Sequence, residues 1–279
     1  MEGLPGVTEI GYWSEIKLQI LKEYALQYSV ILSKQSYLKH VYIDAFAGAG
    51  VHISRETKGF VLGSPLNALY VEPPFKELHL IDLDGQKIEM LKDLTNEFGN
   101  VHIYEGDSNE ILLNDVFPKV RFEDYRRGLC LLDPYGLHLD WRVLETAAAM
   151  KSIEIFLNFP IMDMNRNVLW KDFEAVDAKD VDRMNTFWGD ESWRQIAYSE
   201  PIQRGLFGDD RLQKEPNYAI AAGFQQRLKT VGFTFVPEPI PMRNSNGATI
   251  YYLFFASNNE TGTKIAKHIL DKYRAEGIK

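Results

Sequence analysis

Acidic residues stand at or just after the ends of three apolar runs that have the composition of buried strands. These residues are Asp44, Asp82 and Asp107, and the first run continues into the small-residue segment Ala47–Gly50. Small residues after a strand let a ligand approach the backbone, and parallel strands bring their carboxyl ends to one edge of a sheet. We therefore expect the carboxylates to surround one ligand. Asp44 would orient a cationic group, Asp82 would accept hydrogen bonds from ribose hydroxyls, and Asp107 would accept one from an adenine amino group.

These acids also have a purely structural interpretation. A carboxylate at the start of a helix accepts the free backbone N–H groups there and interacts favourably with the helix dipole. Asp84, two residues after Asp82, is well placed for this role, and so is Asp107. Each acid taken singly fits either interpretation, but their occurrence at successive strand ends favours a ligand site.

A second group of polar and aromatic residues follows the next two apolar runs. Asp133-Pro134-Tyr135 comes after the fourth run, and Asn158-Phe159-Pro160 closes the fifth. The prolines alone would fit simple strand termination. As a site, Asp133 would accept a hydrogen bond from the N–H group of a nucleophile. Tyr135 and Phe159 would then sandwich a planar acceptor such as a base.

The turn Gly48-Ala49-Gly50 also has to be weighed as part of a dinucleotide-binding motif. That motif requires a third Gly or Ala three residues later and a helix that opens at once. The third position here is Ile53, and the residues through Gly63 indicate a loop. A helix start fits better at Ser64-Pro65, where a cap residue precedes a proline. The dinucleotide interpretation is weakened but stays open, and a plain strand-to-loop turn fits the glycines equally well.

The elements that position these residues alternate between strand and helix. A helix from Ser14, its cap, to about Ser33 comes first. The apolar runs that predict strands are Val41–Phe46, Leu78–Ile81, Val101–Tyr104, Gly128–Leu132 and Ile153–Phe159. Helical periodicity lies between them, as in Trp141–Met150 with Asp140 as its cap. Strands separated by helices pair in parallel through right-handed crossovers.

The alternation breaks after Pro160. Residues 161–216 carry Trp170, Trp188 and Trp193 among many charges and predict a helical insertion, in which tryptophans are more typical of core anchors than of base-stacking platforms. Asn165 and Arg166, just past the fifth strand, are candidates for contact with a substrate. A role at a helix start fits them as well.

The remaining sequence predicts a return to the α/β pattern. A helix at about Asn217–Thr230 precedes strands at Phe233–Val236 and Thr249–Phe255, and a final helix follows Gly262. The turn at Asn244–Gly247 is too short for a crossover helix, so the last two strands should form an antiparallel hairpin. We expect one α/β domain over residues 1–279, with an N-terminal helical segment at 1–40. Its sheet should be doubly wound, mostly parallel and seven-stranded.

Composition narrows the classes of function. The chain has 279 residues, and its 31 Lys and Arg against 39 Asp and Glu give a net charge of −8, which disfavours non-specific nucleic-acid binding. Basic residues concentrate only at 119–127, where a solvated loop is the favoured explanation and a nucleic-acid contact is the alternative. Cys130 is expected to be an inert core residue, and the six scattered histidines show no metal-ligand spacing. With no membrane-spanning stretch and no secretory signal at Met1–Pro5, a cytoplasmic protein is expected.

The strand-end motifs, in this order, resemble those of class I S-adenosylmethionine-dependent methyltransferases. Phe46–Gly50 with Asp44 before it is similar to their cofactor loop, Asp82 to their ribose acid, and Asp107 to their adenine-contacting acid. Asp133-Pro134-Tyr135 resembles a shortened Asp/Asn-Pro-Pro-aromatic motif of enzymes that methylate exocyclic amino groups. One proline is missing, and Gly136 replaces the aromatic residue.

This resemblance implies S-adenosylmethionine as the cofactor. The residues expected to bind it are Asp44, Phe46, Ala47, Gly48, Gly50, Asp82, Asp107 and Ser108. Catalysis is assigned to Asp133, Pro134 and Tyr135. The residues expected to contact the substrate are Asn158, Phe159, Asn165 and Arg166. No metal ligand is expected.

A closer resemblance covers nearly the whole chain. The matching motifs are Ser14-x-x-Lys17-Leu18-x-Ile20-Leu21-x-x-Tyr24, Tyr42–Gly48, Gly63-Ser64-Pro65, Asp133–Gly136 and Asn158–Asn167. Together they look like the three-Cys-motif partner protein family. Members of this bacterial family are regarded as methyltransferase-like and are paired with a separate protein that bears three cysteines. The resemblance therefore implies a class I methyltransferase fold and such a partner, but no substrate.

Three functional hypotheses follow. The first is methyl transfer from S-adenosylmethionine, with a nucleic-acid base amino group as a candidate acceptor. The second, motivated by the missing proline and the aromatic-rich insertion, is a cofactor-binding or degenerate subunit that acts through the three-cysteine partner. The third is nicotinamide-dependent redox chemistry, which the mismatch at Ile53 already disfavours.

Overall fold

The structure, a computed structural model, describes residues 6–199, 213–244 and 246–276. In these ranges the strands are β1 (Thr8–Ile10), β2 (Lys39–Asp44), β3 (Val51–Ser54), β4 (Phe60–Leu62), β5 (Glu77–Asp82), β6 (Val101–Glu105), β7 (Arg126–Leu132), β8 (Ile153–Phe159), β9 (Tyr198–Ser199), β10 (Gln213–Lys214), β11 (Ile240–Arg243) and β12 (Thr249–Ala256). The α-helices there are α1 (Tyr12–Leu32), α2 (Ser64–Leu69), α3 (Gly85–Thr95), α4 (Ser108–Ile111), α5 (Trp141–Met150), α6 (Ile161–Asn167), α7 (Ala178–Trp188), α8 (Trp193–Ala197), α9 (Asn217–Val231) and α10 (Glu260–Glu276).

Seven of these strands form one central sheet in the order β11-β12-β8-β7-β2-β5-β6. The strands from β8 to β6 pair in parallel, and β12 runs antiparallel to both of its neighbours. The chain builds outward from β2 to β5 and β6, and then crosses back to β7 and β8. The predicted seven-stranded, mostly parallel sheet is confirmed. Its strand order reverses between β2 and β7, which is where open α/β sheets bind ligands.

Each face of the sheet is covered by its own apolar layer. One layer joins α1, α3 and α10 through residues such as Tyr24, Leu91 and Leu270. The other joins α5, α7, α8 and α9, with Trp188 and Phe224 among its fully buried side chains. Because both faces are buried, strands such as Ile153–Phe159 are apolar almost throughout, as parallel strands require. Cys130 is buried in this core, as predicted.

The N-terminal part differs from the prediction in two ways. Helix α1 begins at Tyr12 after Gly11, so Ser14 is not its cap. The supposed loop between Gly50 and Gly63 instead contains β3 and β4, an antiparallel pair to which β1 adds in parallel. These strands are three or four residues long and half-exposed, so they carry too little hydrophobic pattern to be recognised. Helix α2 does begin at Ser64, with Gly63 as its cap.

The C-terminal hairpin uses a different first strand from the one predicted. Phe233–Val236 contributes only a single bridge, from Phe235 to Ser257. The partner of β12 is β11, which contains Pro241 and was mistaken for a bend. An edge strand tolerates proline because the missing N–H faces away from the sheet. Helix α10 begins at Glu260, before Gly262.

The region after β8 contains α6, α7 and α8, and its part at 200–212 lies outside the described residues. Trp188 and Trp193 are fully buried, and the Trp188 ring lies 5.2 Å from that of Phe224 on α9. Both therefore anchor the core, as predicted, whereas Trp170 is partly exposed. Among the described residues, no helix has the length and apolar character to cross a membrane, and no group of three or more potential ligands is arranged to hold a metal.

Glu154 is a carboxylate buried where α1, β8 and α10 meet. It accepts a hydrogen bond from the Tyr24 hydroxyl of α1. It also faces the first turn of α10, where a Cβ added to Gly262 would lie 2.6 Å from its Oε1. Burial raises the pKa of Glu154 to about 7, and the hydrogen bonds from Tyr24 and Ser257 oppose this only in part. The folded state therefore resists ionisation of this group.

We expect Glu154→Gln to stabilise the protein above neutral pH. The pKa is raised from 4.5 to about 7 on folding, so this group's contribution is most favourable below the unfolded pKa and is lost as the pH rises through the folded one. At 1.36 kcal/mol per unit the full penalty is about 3 kcal/mol. Urea unfolding should show the advantage of E154Q growing by about that amount between roughly pH 5 and pH 8. If the free energies of unfolding of the wild type and E154Q change with pH in parallel, the raised pKa of Glu154 would be contradicted.

Candidate functional site

A cleft of about 1120 Å³ opens at the carboxyl ends of β2, β5 and β7. It lies at the reversal point of the strand order, and its size suits a ligand as large as a nucleoside derivative. The predicted site residues that line it are Phe46, Ala47, Gly48, Asp82, Asp107, Ser108, Asp133, Pro134, Tyr135, Asn158 and Arg166. The structure thus brings most of the predicted residues to one place.

The loop after β2 forms the floor of this cleft. It is anchored on both sides, because the Ala45 N–H donates to the Leu131 carbonyl (3.0 Å) and the Ala47 N–H to the Ile81 carbonyl (2.8 Å). Gly48 has a φ of +65°, and a Cβ added there would meet nothing within 4 Å. The backbone at Gly48 is therefore open to a ligand, as the small residues predicted.

Gly50 does not line the cleft. Its φ is +80°, and a Cβ would lie 3.0 Å from Leu91 Cδ1 on α3. Its assignment as a cofactor contact is therefore wrong in this structure. Glycine is required here because the loop turns in the left-handed region and packs tightly against a helix.

Asp82 joins this loop to the next strand end. Its Oδ2 accepts the Gly48 N–H at 2.8 Å, and its Oδ1 accepts the Asp84 N–H at 2.9 Å. A carboxylate offers about four lone-pair positions, so acceptor capacity remains for a ligand hydroxyl. Asp84 caps α3 through the Gln86 N–H, which confirms its structural interpretation. Leu83, between the two acids, is 73% exposed and lines the cleft.

Asp107 and Ser108 form the third wall. Asp107 Oδ1 caps α4 by accepting the N–H groups of Asn109 (2.8 Å) and Glu110 (3.2 Å). The Ser108 hydroxyl donates to the Ala45 carbonyl and so ties this strand end to the loop after β2. Both interpretations of Asp107 thus hold geometrically, because one oxygen caps the helix while the residue also borders the cleft.

Asp44 lies beneath the site rather than in it. It is completely buried, and its carboxylate accepts hydrogen bonds from the Tyr42 hydroxyl (3.2 Å) and the Phe46 N–H (3.3 Å). Burial raises its pKa to about 6, although the hydrogen bonds, including one from Ser64, oppose the shift. The expectation that Asp44 contacts a cationic group directly is therefore wrong. It holds the start of the loop.

Asp133 is part of a polar network on the far side of the cleft. The Lys17 ammonium, on α1, pairs with its Oδ2, and Asn158 Nδ2 donates to its Oδ1 at 2.7 Å. The Tyr251 ring lies 5.5 Å from the Lys17 ammonium. Burial alone would lower the pKa of Lys17, but the charge of Asp133 raises it above its ordinary value. The ion pair and the hydrogen bond from Asn158 thus hold the Asp133 carboxylate in a fixed orientation beside the cleft.

Tyr135 and Phe159 cannot form the predicted aromatic sandwich. Tyr135 is 89% exposed at the mouth of the cleft, whereas Phe159 is 0% exposed. The centroids of the Phe159 and Phe224 rings are 4.6 Å apart. Phe159 belongs to the core layer opposite to the one that Phe156 joins. Successive strand residues point to opposite faces, so Asn158 reaches the site and Phe159 does not.

Asn165 and Arg166, the two residues of α6 that were predicted to contact a substrate, differ in position. Only Arg166 lines the cleft. Asn165 Nδ2 donates to Asn217 Oδ1 at 3.1 Å, and its own oxygen accepts the Lys214 ammonium. These contacts connect α6 with α9 and β10. The assignment of Asn165 to the substrate is therefore wrong in this structure, and its role is to join elements of the fold.

Three residues that were not predicted as part of the site, Lys17, Leu83 and His52, also line the cleft. A signal for Lys17 was present, since it shares the buried stripe of α1 with Leu21, Tyr24 and Tyr28 at helical spacing. A lysine in such a stripe needs a buried partner. His52 could not have been found, because it lies on a strand that was not recognised.

Comparisons with known proteins agree with the architecture. No protein-family model matches the chain, and no curated protein matches it. Among solved structures, protein LPL1258 from Legionella pneumophila, described by the family model DUF519, aligns with a TM-score of 0.54 and 12% identity over 96% of this chain and 92% of its own. This shows a shared fold. The seven-stranded sheet, with its reversed order and inserted antiparallel strand, resembles class I methyltransferase folds.

Two methyltransferase structures align more loosely. A Listeria monocytogenes protein assigned as an S-adenosylmethionine-dependent methyltransferase has a TM-score of 0.42 and 12% identity over 83% of this chain and 98% of its own. The methyltransferase domain of bacterial CtHen1 has a TM-score of 0.39 and 10% identity over 85% and 99%.

Proposed function

We propose that this chain binds S-adenosylmethionine in the cleft beside Gly48 and transfers its methyl group to an acceptor held at Asp133. The observation that carries the proposal is the bond from the Gly48 N–H to Asp82, which places an acid and an open glycine backbone side by side at the reversal point of the sheet. The three-Cys-motif partner family is the proposed family. Its partner protein, a nucleic-acid acceptor and a cytoplasmic location are predictions from the sequence.

The residues fit an adenosyl ligand. Asp82 would accept hydrogen bonds from the ribose hydroxyls, and the exposed Leu83 side chain offers an apolar surface for the adenine ring. Asp107, with one oxygen committed to capping, would accept from the adenine amino group through the other. Phe46 and Ala47 would border the ligand on the loop side. Asp44 and Ser108 would keep that loop in place.

The sulfonium of the bound cofactor would supply an activated methyl group, so the protein's task is to position the acceptor. Asp133, fixed by Lys17 and Asn158, would accept a hydrogen bond from the N–H group of the nucleophile and orient its lone pair. Pro134 and Tyr135 would border the acceptor at the mouth of the cleft. A base with an exocyclic amino group fits this arrangement.

A second candidate function is a cofactor-binding subunit that acts through the three-cysteine partner. The position of Tyr135 favours it. This side chain is 89% exposed, and Phe159, its predicted partner in the sandwich, is in the core. Under this alternative the partner would complete the acceptor site, and the isolated chain would bind the cofactor without transferring methyl groups. The nicotinamide alternative is not retained, because β3 follows Gly50 where a dinucleotide motif needs a helix.

Calorimetric titration of the purified chain with S-adenosylmethionine and with its demethylated product, S-adenosylhomocysteine, tests the proposal. We expect both to bind with one-to-one stoichiometry and to raise the melting temperature. Absence of heat and of a thermal shift at about millimolar ligand, a concentration at which even a weak site is half-filled, would refute it.

Glycine substitutions should separate the ligand site from its support. Gly50→Ala places a methyl group 3.0 Å from Leu91 Cδ1 at a positive φ, so we expect a loss of about 2 kcal/mol in stability. Gly48→Ala meets no neighbour and should cost about 1 kcal/mol in backbone strain, but its methyl group would enter the cleft. Thermal unfolding with and without S-adenosylhomocysteine should show that G48A loses the ligand-induced shift while G50A mainly lowers the melting temperature. The reverse pattern would mean that Gly48 does not face the ligand.

A further inference from the structure

The ion pair of Lys17 and Asp133 connects the N-terminal helix to the acceptor side of the cleft. The Lys17 side chain is 10% exposed and that of Asp133 is 27% exposed, so the carboxylate is the more accessible member. Asn158 Nδ2 donates to the second carboxylate oxygen at 2.7 Å. Each oxygen therefore holds one donor and retains room for another. The pair carries no net charge as a unit.

The pair lies within electrostatic range of the loop that forms the cleft floor. Strands β2 and β7 are neighbours, and Asp44 is in register with Leu131. Phe46 comes two residues after Asp44, and Asp133 comes two residues after Leu131. Both therefore lie just beyond the ends of these two neighbouring strands. Adjacent strands are separated by about 5 Å. A ligand beside Gly48 would therefore feel both charges of the pair.

We propose that Lys17 is a positioning residue that balances the charge of Asp133 and thereby restricts the methyl acceptor to an uncharged nucleophile with an N–H group. This inference rests on the proposed function. A protonated amine would be repelled by Lys17 and lacks a free lone pair, whereas a carboxylate or thiolate would be repelled by Asp133. An amide or a heteroaromatic amino group can donate to Asp133 without bringing net charge.

Atoms and charges balance when the methyl group is transferred to such an acceptor. The nitrogen lone pair forms the new N–C bond while the bond between the methyl carbon and sulfur breaks, and that electron pair remains on sulfur as a neutral thioether. The nitrogen loses its surplus proton along the hydrogen bond to Asp133, from which it passes to solvent. Lys17 holds Asp133 in place through their ion pair before the proton arrives and after it has passed to solvent, and it forms no bond to the methyl group.

Ligands that differ in charge at the transfer position test this role without knowledge of the acceptor. We would titrate the wild type, K17M, K17R and D133N with S-adenosylmethionine and sinefungin, which are cationic there, and with neutral S-adenosylhomocysteine. Loss of Lys17 leaves Asp133 uncompensated, so K17M should raise the preference for the cationic ligands about tenfold. D133N should lower that preference by a similar factor, and K17R should match the wild type. A merely structural role would weaken all three ligands equally.

If K17M and D133N both keep the wild-type preference for cationic over neutral ligands, the inference is overturned. The proposal that the chain binds the cofactor would still stand. Failure of the wild type to bind any of the three ligands would refute the proposed function instead. Should K17M not fold, K17Q, which also removes the positive charge, is compared with the charge-preserving K17R by the same ratios. Transfer of labelled methyl groups to total RNA, DNA and protein tests the acceptor class. Label on base or amide nitrogen supports the inference, and label on protein lysines or carboxylates contradicts it.

Discussion

Asp82→Ala should weaken the binding of S-adenosylmethionine by at least about 100-fold, because charge-assisted hydrogen bonds to two hydroxyls are worth roughly 3 kcal/mol together. The same change removes the acceptor for the Gly48 and Asp84 N–H groups, which lie 2.8 and 2.9 Å from its oxygens. The loop would then lose its side-chain connection to β5 as well as its ligand contact, and only the bond from the Ala47 N–H to the Ile81 carbonyl would still join it to that strand. Calorimetry with S-adenosylhomocysteine, which forms the same ribose contacts, measures the effect.

Asp84→Ala is the matched control, because it removes a carboxylate two residues away that caps α3 through the Gln86 N–H. We expect it to cost about 1 kcal/mol of stability. Its affinity for the ligand should stay within about threefold of wild type, which corresponds to less than 1 kcal/mol. Equal losses of affinity in D82A and D84A would show that Asp82 acts only through the fold.

Phe159→Ala should destabilise the protein by about 3–5 kcal/mol, the usual cost of truncating a buried phenylalanine. Phe159 is fully buried and lies within 6.5 Å, ring to ring, of Phe187, Trp188, Phe224 and Phe254. The cavity would open between β8, α7, α9 and β12, which several elements share. Urea unfolding monitored by tryptophan fluorescence reports the loss directly, since Trp188 is a neighbour.

The sequence suggested that both Phe159 and Tyr135 contact the methyl acceptor. Comparing Tyr135→Ala with Phe159→Ala separates that role from the role of Phe159 in the core. Tyr135 is largely exposed at the mouth of the cleft, so its truncation should change stability by less than about 0.5 kcal/mol. We expect any effect of Y135A to appear in methyl transfer and not in unfolding. A small stability loss in F159A together with a large one in Y135A would contradict the placement of Phe159 in the core and of Tyr135 at the mouth of the cleft.

Much of the fold was predictable because its central strands are short, apolar and bounded by clear turn signals. Val41–Phe46, Leu78–Ile81 and Ile153–Phe159 each have the composition of a buried strand, and the structure has strands there. Asp44 and Asp82, at the ends of the first two, support the loop after β2. The hairpin turn at Asn244–Gly247 fixed the direction of the last strand. Its first strand was missed, because Pro241 at the sheet edge looks like a bend in sequence.

The parts of the site that were missed depend on contacts between distant segments. Lys17 and Asp133 are 116 residues apart, and β1 pairs with β3 across 44 residues, from Thr8 to His52. Local periodicity carries no information about such pairs. It also cannot show which of two neighbouring residues faces the ligand when both faces of a strand are buried. This is why both Asn158 and Phe159 were predicted to face the site, although only Asn158 lines the cleft.

A crystal structure of the chain with S-adenosylhomocysteine would show whether the cleft beside Gly48 is the cofactor site. We expect ligand density beside Gly48, with the ribose hydroxyls on the Asp82 carboxylate, the adenine ring over Leu83 and its amino group at Asp107. Density at another place on the molecule, or a cleft that stays empty at saturating ligand, would contradict it.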